Sequence, residues 1–198
     1  MKRKYLLIAL AFVLVITSTI ISCKEIPPQS NNNVQQKISV SWADGAPDMQ
    51  GLFTTADAVV VGKIGKVVDE TNELLGESRF GKNYMYYTDF EFIVEANLKT
   101  EVKNNSIIIH QIGKAGTQEL EDDPLFQSGD SYVLFLREYE PGKFTVLGGP
   151  QGRFKIVNDK TYSMNYVYSG NNIQLSAETQ INGVSKAEFL QSLAIYSK

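Results

Sequence analysis

The chain has 198 residues, of which 43% are hydrophobic, with a single cysteine and a formal net charge of −3. Three of its 19 basic residues lie at positions 2–4, so the remainder has 16 basic against 22 acidic residues, a net charge of −6. One cysteine excludes an intramolecular disulfide. The acidic balance argues against nucleic acid as a partner, because the phosphates would be repelled.

The N-terminus has the three parts of an export signal. Residues 2–4 are basic, residues 5–16 are apolar, and small polar residues lead to Cys23. An apolar segment of about 7–15 residues followed by small residues is typical of a secretory signal. The last four residues, Ile20-Ile21-Ser22-Cys23, resemble the bacterial lipobox. That resemblance implies acylation of the Cys23 thiol and cleavage before this residue.

The first 36 residues are therefore predicted to direct the protein to a membrane. Residues 1–22 form a lipoprotein signal peptide, and residues 23–36 comprise a lipidated Cys23 and a flexible tether with too little apolar content for a core. Two acyl chains give stable attachment, so we expect a lipid anchor at the extracytoplasmic face of the cell membrane. The alternative is a transmembrane anchor, because the apolar stretch approaches the roughly 20 residues that a spanning helix needs.

Residues 37–198 are predicted to form a single β-rich domain. A short helical turn at 48–57 precedes the β-branched strand 58–64, and residues 69–83, which lack periodicity, are predicted as a loop. From residue 86 to 99 apolar and polar positions alternate, which predicts a strand with Tyr86 facing the core and Tyr87 facing solvent.

Turn residues separate the later segments. Further strands are predicted at 106–112, 132–136, 144–147 and 153–157, with a hairpin turn at 140–142. Ser185 and Glu188 match a capping box that begins a helix over about 185–197. Short strands without βαβ alternation predict a mainly β fold, a small OB-like closed or partly open β-barrel with a C-terminal α-helix.

Three short segments resemble the netrin-type module shared with tissue inhibitors of metalloproteinases. They are residues 56–62, 94–99 and 129–136, within a region that covers about 54–147. The resemblance implies a five-stranded OB-like barrel. It does not carry over the inhibitory mechanism, in which a free amino-terminal cysteine chelates zinc, because Cys23 would be acylated. The segments 129–136 and 148–154 are also similar to surface lipoproteins of Gram-positive bacteria.

Few residues are candidates for chemistry. His110 is the only histidine, and its place in an isoleucine-rich strand favours a structural role over that of a catalytic base. Asp122, Asp123 and Asp130 are the weak candidates for a Ca²⁺ site, but their spacing does not match an EF-hand loop. A solvated acidic loop is the favoured interpretation.

The glycine-rich segment is the most unusual local sequence. Gly148, Gly149 and Gly152 could let backbone N–H groups approach an anion, and Arg153 could clamp a carboxylate or phosphate. A glycine bulge or tight corner of the barrel is the favoured interpretation. Exposed tyrosines such as Tyr87 are common in contacts with proteins or glycans.

These features favour a non-catalytic binding module for a protein, peptide or glycan of the cell envelope, with no cofactor. The alternative is a cell-envelope hydrolase that uses Asp and Glu carboxylates. Glu91 and Glu95 lie on one face of the alternating strand, but any solvated strand face carries such residues.

Overall fold

The computed structural model describes residues 36–38, 45–46, 48–79, 81–100, 102, 104–164 and 182–197. The predicted signal peptide, Cys23 and nearly all of the predicted tether lie outside the described residues. Among the helices within these ranges, none is both long and apolar enough to cross a membrane.

Strands make up most of the described chain. In order the elements are β1 (Gln36–Ile38), α1 (Met49–Thr55), β2 (Ala58–Ser78), β3 (Gly81–Lys99), β4 (Ser106–Ile112), β5 (Gln118–Leu120), β6 (Ser131–Glu140), β7 (Lys143–Val146), a 3-10 helix (Gly149–Gly152), β8 (Arg153–Val157), β9 (Lys160–Ser163), β10 (Asn182–Ser185), α2 (Lys186–Leu193) and a second 3-10 helix (Ala194–Ser197).

Five of the strands form a ring of hydrogen-bonded neighbours in the order β6, β2, β3, β4 and β7, with β7 pairing back to β6. The β4–β7 pairing is parallel and involves only two residue pairs, Ile108 with Lys143 and Ile109 with Phe144. The ring is therefore partly open at this seam, while β8, β9 and β10 extend the sheet beyond β6. The predicted mainly β fold with a C-terminal helix is confirmed, and its sheet is partly ringed.

The strand β2 is buried on both faces where it passes through the ring. Val60 packs inside with Phe92 and Leu134. Its neighbour Val59 packs on the opposite side with Phe135, in a second cluster that also holds residues of α1 and α2. Burial on both faces explains why this strand has a continuous apolar run rather than an alternation.

The prediction of a loop at residues 69–83 is wrong. Here β2 and β3 continue as a two-stranded hairpin, paired from Asp69 with Asp89 to Ser78 with Gly81. We call residues 69–78 and 81–89 the arm. Most of its side chains are exposed or half-buried, so no apolar periodicity marks it in the sequence, although cross-strand backbone hydrogen bonds hold it together.

The C-terminal helix begins where the capping box predicts. The Ser185 side chain accepts a hydrogen bond from the Glu188 N–H, and the Glu188 carboxylate accepts one from the Ser185 N–H. Phe189 and Leu193 are buried against the outer core cluster. The helix thus packs on the same cluster as Val59 of β2 and Phe135 of β6.

Candidate functional site

One aspartate interrupts the alternation of β3. Thr88 and Phe90 are buried toward the core, as predicted, and the residues between them should face solvent. Asp89 belongs to the outward set, yet only 7% of its surface is exposed. The cause is the strand register, because His110 of β4 lies directly opposite Asp89.

Both oxygens of the Asp89 carboxylate are engaged. The His110 Nδ1–H donates to Oδ1 at 2.5 Å, and the Lys143 ammonium group donates to Oδ2 at 2.6 Å. The hydrogen bond to Asp89 raises the pKa of Lys143 above its usual range. Asp89 therefore fixes the orientation of the imidazole and joins β3, β4 and β7 across the outer face of the ring.

The imidazole of His110 is stacked between two tyrosines. Its ring centroid lies 4.7 Å from that of Tyr87 and 5.2 Å from that of Tyr139, with interplanar angles of 16° and 19°. Tyr87 is on β3 and Tyr139 is on β6, beyond β7, so the two rings approach His110 from opposite sides. We call Tyr87, His110 and Tyr139 the aromatic row.

The two tyrosines are anchored differently. The Tyr87 hydroxyl donates to Glu73 of the arm at 3.3 Å, and burial together with this carboxylate raises the pKa of Tyr87. Tyr139 is 50% exposed, with the Lys143 ammonium group 5.7 Å from its ring centroid. Tyr139 is thus the member of the row that is most open to a ligand.

A cleft of about 220 Å³ adjoins the aromatic row, and we call it the row cleft. Its lining includes Tyr87, His110, Ile112, Thr145, Val146 and Gly149. Small-molecule sites usually enclose about 300–1,000 Å³, so this cleft suits a single ring or side chain of a larger ligand. The hydroxyl of Thr145 and the imidazole of His110 supply polar groups beside an apolar wall.

Two of the predicted binding residues, Tyr87 and Gly149, line the row cleft. Gly148 and Gly149 have φ angles of 63° and 56°, a left-handed conformation that glycine adopts most easily. A Cβ atom on Gly152 would lie 2.3 Å from the Leu147 carbonyl oxygen. The glycine segment is therefore a tightly packed corner, as in the favoured interpretation, and one of its residues forms part of the cleft.

Arg153 lies inside the molecule, only 2% exposed. Its Nη1 donates to Asp123 Oδ1 at 2.7 Å and to the Pro124 carbonyl at 2.7 Å, and its guanidinium lies 3.9 Å from the Phe126 ring centroid. The predicted clamp thus holds a carboxylate of the protein itself. Its role is to fasten the loop before β6 to β8.

Two of the three calcium candidates are engaged by separate partners, whereas Asp122 Oδ1 is buried with no hydrogen-bond partner among the described residues. Asp123 pairs with Arg153, and burial raises the pKa of Asp123 although the guanidinium acts in the opposite direction. Asp130 accepts from Lys155 at 2.6 Å and from the Tyr132 hydroxyl at 3.1 Å. Within the described ranges no group of three or more acidic, histidine or cysteine side chains is placed to hold a metal ion.

Sequence reasoning missed Asp89, Lys143 and Tyr139. The alternation in β3 placed Tyr87 and Asp89 on one face, and this shared face was the signal in the sequence that could have pointed to the site. It could not show that His110 lies opposite Asp89, because that register depends on the pairing of β3 with β4.

No protein-family model matches this sequence, and no curated protein matches it either.

Proposed function

We propose that this chain is a membrane-anchored extracytoplasmic lipoprotein, held by lipid on Cys23, that acts as a non-catalytic binding module. Its ligand would be a protein, peptide or glycan of the cell envelope. The observation that carries the proposal is the aromatic row beside the row cleft, on the outer face of β3, β4, β6 and β7.

The position of the row within the fold supports this function. Counting along the chain, β3 and β4 are the second and third strands of the five-stranded ring. In OB-fold barrels the face of the second and third strands binds oligosaccharides and oligonucleotides. The acidic balance of the chain disfavours an oligonucleotide, which leaves glycans and polypeptides as the expected ligands.

The aromatic row would act through contact area rather than through catalysis. Tyrosine offers a large, rigid surface with a polar tip, which suits both sugar rings and polypeptides. Because Asp89 and Lys143 hold the imidazole in place, little side-chain entropy would be lost on binding.

Binding to envelope fractions tests the proposed surface. Wild-type protein and a Tyr139→Ala variant are incubated with purified cell-wall polymer and with envelope membranes, and the retained protein is quantified. We expect Tyr139→Ala to weaken retention about tenfold, as for an aromatic residue central to an interface. The control is Ile195→Ala, which removes an exposed side chain near the C-terminus. Equal retention of all three proteins would contradict the proposal.

Lipid attachment has its own test. Cells that express the protein are labelled with radioactive palmitate, and the protein is recovered from the membrane fraction. We expect label on the wild-type chain and none on a Cys23→Ala variant. Label on the variant would show that acylation does not occur at this residue.

One observation favours the alternative of a carboxylate hydrolase. Asp57 and Glu138 line the same cleft, of about 540 Å³. Each carboxylate already accepts a backbone hydrogen bond, Asp57 from the Glu138 N–H at 2.9 Å and Glu138 from the Gly142 N–H at 3.0 Å. Release of sugars from cell-wall polymer by the wild type, lost in an Asp57→Asn variant, would establish this alternative.

A further inference from the structure

The two edges of the arm differ. On the β3 edge, the Gln118 side chain accepts from the Tyr86 N–H at 3.0 Å and donates to the Tyr84 carbonyl at 3.3 Å. The Gly113 N–H donates to the Tyr86 carbonyl at 2.7 Å. Polar groups from the neighbouring loop therefore occupy this edge as a paired strand would.

The β2 edge has no such cover. β6 pairs with β2 as far as Lys63, and the last backbone hydrogen bonds on this side join Ile64 to Gly129 and Asp130. Among the described residues, no strand pairs with the outer edge of β2 beyond this point. The regular pairing with β3 resumes at Asp69, after register shifts on both sides of Val67, and runs to Leu74, and along it the outer edge of β2 has no strand partner among the described residues.

An apolar cleft of about 290 Å³ lies beside this edge, and we call it the arm cleft. It opens where the chain before β6 diverges from β2, and its lining includes Val67, Glu70, Phe90, Leu125, Phe126 and Ser128. Val67 is 50% exposed, and its neighbour Val68 is exposed to the same extent but does not line the cleft. An open edge and an adjacent apolar cleft are the two parts of a strand-addition site, in which backbone hydrogen bonds give affinity and a side-chain pocket gives specificity.

The charges along the β2 edge indicate which kind of ligand would bind there. From Asp69 to Glu77 the edge strand carries four carboxylates and no basic residue, and Glu119 adds another at the cleft. Lys114 pairs with Glu70 at 2.8 Å and Lys82 pairs with Glu77 at 3.1 Å, so these lysines neutralise two of the four carboxylates. A second copy of this chain would place the same carboxylates opposite each other, which is unfavourable. A segment with lysine or arginine side chains would instead be attracted.

We propose that the β2 edge from Val67 to Leu74 binds an extended basic peptide segment as an added strand, with one apolar side chain of that segment in the arm cleft. This site and the aromatic row line different clefts, although Glu73 of the edge accepts a hydrogen bond from Tyr87 of the row. Val67 and Glu70 line the arm cleft, whereas Tyr87, His110 and Gly149 line the row cleft.

The test uses short fluorescein-labelled peptides that alternate leucine with lysine, with serine or with glutamate, added to the full-length protein. Fluorescence anisotropy measures affinity, and hydrogen exchange locates the contact. We expect the lysine peptide to bind most tightly, the glutamate peptide not to bind, and amides from Asp69 to Leu74 to gain protection.

A matched pair of variants distinguishes binding in the arm cleft from a general effect of added charge. Val67→Lys and Val68→Lys add the same charge at neighbouring, equally exposed positions. We expect Val67→Lys to weaken binding of the lysine peptide about tenfold, because a charged side chain would occupy the apolar cleft, and Val68→Lys to weaken it about twofold.

Three results would overturn the proposal. They are no binding by any peptide of the set, an equal effect of the two lysine variants, and loss of peptide binding in Tyr139→Ala. The last result would assign the peptide to the aromatic row and so support the proposed function instead. Retained peptide binding in Tyr139→Ala, with reduced retention on envelope material, would establish two independent surfaces.

Discussion

Replacing Arg153 with methionine tests how the loop before β6 is held. Methionine keeps an unbranched apolar side chain at this position, but it removes the guanidinium and with it the contact with the Phe126 ring. The Asp123 carboxylate would then be buried without its partner, and the Pro124 carbonyl would lose one of its two donors and keep the Gln111 side-chain amide. Removing one member of a buried ion pair usually destabilises a protein by about 3–5 kcal/mol, a large part of the roughly 5–15 kcal/mol typical of a domain.

The assay is urea denaturation followed by far-ultraviolet circular dichroism, which gives the free energy of unfolding. The matched control is Lys155→Met, two residues along the same strand. Lys155 pairs with Asp130 at 2.6 Å, but both side chains are partly exposed, so we expect a loss of about 0–1 kcal/mol. The difference in stability between the two variants measures the effect of burial, because the N–O distances of the two ion pairs are nearly equal.

A double variant, Arg153→Met with Asp123→Leu, completes the cycle. Removing both charges should recover about 1–3 kcal/mol relative to Arg153→Met alone, since no unpaired carboxylate remains. If Arg153→Met costs no more than Lys155→Met, or if the two substitutions are additive, Arg153 does not hold the loop through a buried ion pair.

Two further predictions concern alkaline pH and strand packing. Because the pKa of Tyr87 is raised above 10.0, the folded state retains a proton that the unfolded state loses, so the free energy of unfolding should fall as pH rises above about 10. A Tyr87→Phe variant should show a shallower fall in alkaline denaturation, and an unchanged slope would refute this assignment. Gly62→Ala should cost about 1–3 kcal/mol in urea denaturation, since its Cβ would lie 2.2 Å from the Ile93 carbonyl oxygen. The control Gly76→Ala has no atom within 4 Å of the added Cβ and should leave stability within about 0.5 kcal/mol; equal effects would contradict the packing argument.

Sequence signals that involve only a few adjacent residues predicted their elements well. The hairpin turn at 140–142 separates β6 from β7, and the capping box begins α2, because turn and capping preferences depend on adjacent side chains. The arm was missed because its strands bury little on either face. A two-stranded hairpin of polar residues has the same composition as a loop.

Lys99 shows a similar limit. The alternation of β3 predicted an outward, solvated lysine at the end of the strand. In the structure its ammonium group donates to the carbonyl oxygens of Phe53, Thr54 and Ala56, at 2.6–2.8 Å, and so caps the C-terminal end of α1. The two segments are more than 40 residues apart in sequence, and only the packing of α1 against the end of β3 brings them together.

The amino-acid sequence alone determined the β-rich class, the positions of several strands and turns, and the C-terminal helix, because those depend on local periodicity and turn chemistry. It also predicts the lipid anchor at Cys23, which lies outside the described residues. Tertiary structure decided the rest. Strand register placed His110 opposite Asp89, ring closure brought Tyr139 and Lys143 to the same face, and burial turned Arg153 inward to Asp123. Each of these depends on which strands become neighbours, which is set by how the whole sheet buries its apolar faces.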